Sequence, residues 1–247
     1  MNVALTPVLA NKKILITGGT SELGRQFVRK ALSAGARVYF TSFQDRETFQ
    51  MLESAGAAGF VLDLADMRAI DDFVKSFKEK ERTLDILIHN AAAVRDHTLQ
   101  NLTEEEWDYV MTVNLKAPYY LTKKLMPLLF KGESVKKIFM MTSRAAVTGG
   151  FGVSNYASAK AGLIGLTKSL AQELGKKNIL TNAVNPGFMQ SKMTRDLPPE
   201  VIQRNQEINP LGKCSDPAEV ADFLVFLCSD QMTQVTGQVF HFESRKS

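Results

Sequence analysis

The chain has 247 residues, 45% of them hydrophobic, a formal charge of +4 and a pI near 9.0. That length suits one large domain with a substantial core rather than two small ones, and the positive charge is dispersed rather than blocked, which argues against a nucleic-acid partner. Cys214 and Cys228 form no C-x-x-C pair, and His89, His97 and His241 are scattered, so neither a disulfide framework nor a metal site is expected. Residues 1–10 lack the basic and long apolar regions of a signal peptide, and no apolar stretch reaches membrane-spanning length. The expectation is a soluble, cytoplasmic protein without a metal.

Short apolar runs alternate with longer amphipathic ones. Residues 13–17 read as a buried strand, 23–33 as a helix closed by Gly35, and 37–41 as a second strand. A third strand over 59–62 precedes a helix over 67–80, and 84–89 reads as a fourth strand. Long helices are predicted over 103–130 and 155–174, with a strand over 137–141 between them. Strands over 180–184 and 238–242 complete the set. This β-α-β-α alternation implies an α/β fold, a doubly wound parallel sheet of Rossmann type in a single domain over residues 1–247. Residues 185–214, rich in Pro, Met and Asn, read either as a flap over a ligand or as a connection with a short helix.

Three local patterns carry chemistry. First, Thr17-Gly18-Gly19-Thr20-Ser21-Glu22-Leu23-Gly24 lies between the first strand and the first helix, where backbone N–H groups and a helix N-terminus can meet a pyrophosphate. Glu22 is awkward there, since a carboxylate near a pyrophosphate is unfavourable. An outward orientation as an early helix residue would suit the dipole. Second, the end of the second strand, Thr41-Ser42-Phe43-Gln44, has no acid until Asp45. An acid there would hold a ribose 2′-hydroxyl, so its lack favours NADP(H) over NAD, with Thr20, Ser21, Ser42 and Arg46 as phosphate contacts. Third, Tyr156 and Lys160 are four apart on a helix and share a face. An ammonium beside a phenol is expected to lower its pKa and make it an acid or base near neutrality. Ser143 could hold a carbonyl oxygen beside that phenol.

Together these residues resemble the short-chain dehydrogenase/reductase family over about residues 12–242. The loop at 17–24 is similar to T-G-x-x-x-G-x-G, with Glu22 at the middle glycine. Asp63 matches the acid that contacts the adenine, His89-Asn90-Ala91-Ala92 is similar to N-N-A-G, and Val113-Asn114-Leu115 matches the element with the active-site asparagine. Ser143, Tyr156 and Lys160 match the serine, tyrosine and lysine, and residues 185–191 match the P-G stretch at the nicotinamide end. Within the family, residues 155–174, 185–194 and 209–237 most resemble 3-oxoacyl-[acyl-carrier-protein] reductases.

The resemblance implies NADPH-dependent reduction of a ketone, most simply a 3-oxoacyl thioester on an acyl carrier protein. Tyr156 would supply the proton, Lys160 would lower the Tyr156 pKa and bind the ribose, and Ser143 would hold the carbonyl oxygen. Asn114 would hold a water linking Lys160 to solvent. The cofactor would contact Gly18, Thr20, Ser21, Leu23, Ser42, Asp63, Leu64, Asn90, Ala91, Tyr156, Lys160, Pro186, Gly187, Met189 and Ser191. Phe151, Met189, Met193 and Leu197 are candidates for an apolar substrate wall. Trp107 and Tyr109 read as packing residues, and Arg144 as either near substrate or at the surface.

Lys136, Lys137, Lys176 and Lys177 are candidates for docking an acidic carrier protein. A homodimer or homotetramer is expected, although the tail at 243–247 lacks the Gly-Gly usual near Glu243-Ser244. A tailoring reductase of a free ketone or polyketide, and a non-catalytic nucleotide-binding protein, remain alternatives at this level.

Overall fold

The computed structural model describes residues 8–191, 194–195 and 197–242. Strands β1 (Lys13–Thr17), β2 (Arg37–Ser42), β3 (Ala58–Val61), β4 (Ile86–His89), β5 (Lys136–Met141), β6 (Ile179–Asn185) and β7 (Val239–His241) form one parallel sheet in the order β3-β2-β1-β4-β5-β6-β7. They alternate with helices α1 (Glu22–Ser33), α2 (Arg46–Ser54), α3 (Met67–Lys80), α4 (Glu104–Met111), α5 (Ala117–Leu129), α6 (Ala145–Thr148), α7 (Ser154–Leu174), α8 (Pro199–Glu207) and α9 (Pro217–Cys228).

Strand parity divides the core. Ile14, Ile16, Ile86, Ile88, Phe139 and Met141 pack with α1 and α9 on one face. Leu15, Leu87, Ile138 and Met140 pack with α3, α5 and α7 on the other. Strands covered on both faces are apolar throughout, which is why each reads as a short continuous run. β1 and β4 are neighbours although β2 and β3 intervene in sequence. The chain therefore leaves β1 toward one side of the sheet and β4 toward the other, opening a crevice at their carboxyl ends.

The helices depart from the sequence pattern in three places. The single helix expected over 103–130 is two helices joined by a π-helical turn at Thr112–Lys116, which carries Asn114. α2 was not evident because it is short, and Asp45, its N-cap, accepts from the Thr48 N–H at 3.1 Å. α9 was not evident because Val220 to Cys228 is apolar apart from Asp222, so its 3.6-residue period is weak. The connection at 185–214 does hold a short helix, α8. Met193 and the tail at 243–247 lie outside the described residues.

The amino ends of the strands are locked by buried charge. Glu81, 2% exposed, takes Lys13 Nζ at 2.7 Å, Arg37 Nη2 at 2.9 Å and the Tyr39 hydroxyl. Burial pushes its carboxyl up, but the bonds from Lys13 and Tyr39 outweigh this and hold it below its ordinary value. Two of the four lysines considered for docking belong to this end and are not at the surface. Lys136 is 3% exposed and bonds Asp85 at 2.6 Å. Lys137 is 2% exposed and donates to the carbonyls of Leu227 at 2.8 Å and Ser229 at 2.5 Å, at the carboxyl end of α9. Both sit inside the sheet rather than at a free strand end, so neither can meet a partner. Lys176 and Lys177 remain exposed.

Glu81→Gln should lower the unfolding free energy by about 2–3 kcal/mol in urea titrations at pH 7, because it removes the charge that compensates Lys13 and Arg37. The depressed carboxyl contributes stability above its unfolded pKa and loses it as pH falls, so the difference between Glu81→Gln and wild type should shrink toward pH 4.

Candidate active site

The crevice is built from the loops after β1, β2, β3, β4, β5 and β6 and encloses about 800 Å³. Its floor is the loop after β1. Gly18 has φ +66° and lies so close to the next loop that a Cβ would stand 2.8 Å from Ala91 Cα. At Gly24 a Cβ would stand 2.3 Å from the Gly18 carbonyl oxygen, so only glycine lets α1 start against the loop. Asn90 holds this geometry: its Nδ2 donates to the carbonyls of Thr17 (3.1 Å) and Gly18 (2.9 Å) and to Ser21 Oγ (3.0 Å). Ser21 Oγ in turn accepts from the Gly24 N–H and caps α1. Thr20 and Ser42 meet at 2.8 Å through their hydroxyls, joining the loop to the end of β2.

Tyr156 and Lys160 come from the first turns of α7, with Lys160 Nζ 5.6 Å from the centre of the Tyr156 ring. Lys160 is 2% exposed and donates to the Met141 carbonyl at 2.7 Å. Burial pulls its pKa down to about 8. The expected drop in the Tyr156 pKa does not occur in this state. Burial pushes the phenol up, and its hydrogen bond with Ser143 pulls it down by less, while the Asp96 carboxylate pushes it further up. The ammonium's hydrogen bond goes to the backbone and not to the phenol, so desolvation dominates.

Asn114 is fully buried, and its amide is spent on one residue: Nδ2 donates to the Ala93 carbonyl at 2.8 Å and Oδ1 accepts from the Ala93 N–H at 3.0 Å. The side chain thus fixes the strand-β4 loop. His89, also buried, shares a 2.8 Å hydrogen bond with Thr122, and burial followed by the Lys160 charge holds its pKa down to about 3.

Of the residues expected at the cofactor, Gly18, Thr20, Ser21, Leu23, Ser42, Asp63, Leu64, Asn90, Ala91, Tyr156, Lys160, Pro186, Met189 and Ser191 line the crevice. Gly187 is not on its wall; its N–H donates to Asn185 Oδ1 at 3.1 Å. Glu22 lies on the wall, ion-paired with Arg25. The apolar-wall candidates separate: Met189 lines the crevice, Phe151 is 92% exposed and Leu197 is half-buried away from it. Tyr109 packs against the core, as expected, and is also on the wall, with Arg95 stacked 4.8 Å from its ring centre.

Asn155 was missed. It is fully buried, its Nδ2 donates to the Arg95 carbonyl at 2.9 Å, and its Oδ1 accepts from the Tyr156 N–H at 2.7 Å. It ties the first turn of α7 to the loop after β4. An asparagine at a helix start reads in sequence only as a local cap, because its distant partner is 60 positions away.

A parallel sheet of this order, a glycine-floored crevice at its switch point and a Ser143–Tyr156–Lys160 set at one end define an oxidoreductase that uses a nicotinamide dinucleotide and acts on a CH–OH/C=O pair. The chain belongs to the short-chain dehydrogenase/reductase family, and residues 18–244 match the family model described as enoyl-(acyl carrier protein) reductase. It is 36% identical over 236 residues to the 3-oxoacyl-[acyl-carrier-protein] reductase of Thermotoga maritima, covering 94% of this chain and 96% of that protein. It is 34% identical over 239 residues to the enzyme of the same name from Aquifex aeolicus, again covering 94% and 96%. Among solved structures, the Pseudomonas aeruginosa RhlG/NADP active-site complex superposes with a TM-score of 0.88 at 26% identity, covering 96% of each chain. A dehydrogenase/reductase from Sinorhizobium meliloti superposes with a TM-score of 0.85 at 28% identity, covering 96% of this chain and 95% of the other.

Two outcomes follow from the buried polar groups. Asn155→Leu should lower kcat by roughly 10- to 100-fold with little change in cofactor affinity, because Tyr156 loses its fixed position; steady-state kinetics beside calorimetry measure both. Native His89 stays neutral to about pH 3, whereas the unfolded chain takes up this proton near 6.5, the ordinary histidine value. Stability is therefore lost as pH falls from 6.5 toward 3. The loss between pH 7 and 4.5 should be about 2 kcal/mol smaller in His89→Asn, as read from urea titrations at the two pH values.

Proposed function

We propose that this chain reduces a 3-oxoacyl thioester carried on an acyl carrier protein to the 3-hydroxyacyl thioester, with NADPH as reductant. The observation that carries the reading is Tyr156 on the crevice wall with the buried Lys160 ammonium 5.6 Å from its ring centre, and the Ser143 hydroxyl next to the phenol. Two hydroxyls side by side can hold one carbonyl oxygen, and one of them can give it a proton.

The crevice fits a dinucleotide. The backbone at Gly18 and Gly24 leaves no room for side chains, so the loop can come close to a pyrophosphate at the start of α1. Thr20 and Ser42 present paired hydroxyls at the end of β2, Arg46 lines the same wall, and the Asp45 carboxylate is engaged at the start of α2. That combination supports a 2′-phosphate over a bare 2′-hydroxyl. When bound, the cofactor supplies the hydride to the carbonyl carbon. Tyr156 gives its proton to the oxygen, and the raised phenol pKa keeps that proton in place at neutral pH, as reduction requires. Ser143 donates to the same oxygen. Lys160 would bind the ribose and offset charge on the phenolate left behind; the Asn114 amide is taken up by Ala93, so a water that returns the proton would have to be held by backbone groups of the π-helical turn.

The names of the Thermotoga and Aquifex relatives support the carrier-bound ketone. Lys176 and Lys177, still exposed, are the remaining docking candidates of the four. A single domain over 1–247, a cytoplasmic location and a homodimer or homotetramer belong to the same reading. The family description names an enoyl reductase, which makes reduction of a C=C bond the second reading.

With acetoacetyl and crotonyl thioesters tested in parallel, NADPH should be consumed with the first and not the second, and faster than NADH; the reverse substrate preference would give the reading to the enoyl reaction. Tyr156→Phe should lower kcat by roughly 10³-fold while leaving NADPH affinity within about twofold by calorimetry.

A further inference from the structure

Glu22 is the first residue of α1 and one of the residues that line the crevice beside the capping Ser21, with its carboxylate turned to Arg25. The helix dipole favours a carboxylate there, but it also makes the same N-terminus the receiving point for a pyrophosphate. Two anions at one helix end repel, and a partly solvated site screens that repulsion incompletely. The backbone cannot retreat: α1 is pressed onto the loop at Gly24, 2.3 Å from the Gly18 carbonyl oxygen for any Cβ. Relief has to come from charge. Arg25, one turn along α1, ion-pairs with Glu22, and the two side chains are only 39% and 26% exposed, so water screens them incompletely. The Arg25 Nε is buried without a hydrogen-bond partner among the described residues, and the guanidinium engages Glu22 through an outer nitrogen.

We propose that Arg25 sets the cofactor affinity of this site by neutralising Glu22, so that the start of α1 accepts a pyrophosphate that Glu22 alone would repel. Arg25 is a positioning residue in electrostatic terms: it acts through Glu22 and does not itself line the crevice. The proposal rests on the dinucleotide reading of the crevice and adds the charge balance that makes that reading work with a carboxylate in its wall.

The test is calorimetric titration of NADPH into wild type, Arg25→Gln, Arg25→Lys, Glu22→Gln and the double variant Glu22→Gln/Arg25→Gln. Arg25→Gln should weaken binding about tenfold, while Arg25→Lys, which keeps the charge, should stay within about threefold of wild type. Glu22→Gln should bind as tightly as wild type or tighter, and in the double variant it should restore binding to within about threefold. The Arg25→Gln penalty should also shrink between about 50 mM and 500 mM salt, because the repulsion is screened. A purely structural role for Arg25 would give a loss that Glu22→Gln does not relieve and salt does not change; either that result or unchanged binding in Arg25→Gln overturns the proposal. Wild type that binds neither NADPH nor NADH overturns the dinucleotide reading, and this proposal with it. Apo thermal melts verify that each variant is folded.

Discussion

The site depends on the bond network that ties the carboxyl end of β1 to the carboxyl end of β4. Thr17 Oγ1 accepts from the N–H groups of Asn90 and Ala91, both at 3.1 Å, and the Asn90 amide returns to the loop after β1 at three points. The two strands are neighbours in the sheet but lead the chain in opposite directions, so their loops would otherwise be free to part. With the loops joined, Gly18 is held against Ala91, the N-terminus of α1 is aimed across the crevice, and the remaining loops have a fixed floor to close against.

At the chemical end, burial does the work that a surface reading assigns to charge. Lys160, His89, Asn114 and Asn155 are all nearly inaccessible, and each spends its polar atoms on a specific partner. Desolvation lowers the Lys160 and His89 pKa values and raises that of Tyr156. For the proposed reduction, a protonated phenol above an ammonium would be the starting state, and it requires no direct Tyr156–Lys160 hydrogen bond. The opposite end of the sheet uses burial differently. Glu81, Asp85, Lys136 and Lys137 lock the strand starts and present no free charge to a partner.

Much of this was legible from local pattern. The strand runs, the glycine loop and the Ser143/Tyr156/Lys160 spacing are dictated by short-range rules: continuous apolar residues for strands covered on both faces, glycine where backbones touch, four-residue spacing for one helix face. Nearly all the residues expected at the cofactor do line the crevice for that reason. The helix α9 was illegible because a segment apolar but for Asp222 has little period, and α2 because it is only nine residues long. The burial of Lys136 and Lys137 was illegible because lysine in a strand start reads as exposed unless its carbonyl or carboxylate partners, far away in sequence, are known.

By itself, then, the amino-acid sequence determined the order of the strands, the motifs that resemble the family, and the spacing of Ser143, Tyr156 and Lys160, since these are set by short stretches of chain. Only the tertiary structure decided the directions of the pKa shifts, the engagement of Asn114 with Ala93, the clamp made by Asn155 and the neutralisation of Glu22 on the crevice wall. Those depend on desolvation and on which side chains meet, and both are properties of the packed fold rather than of any local stretch.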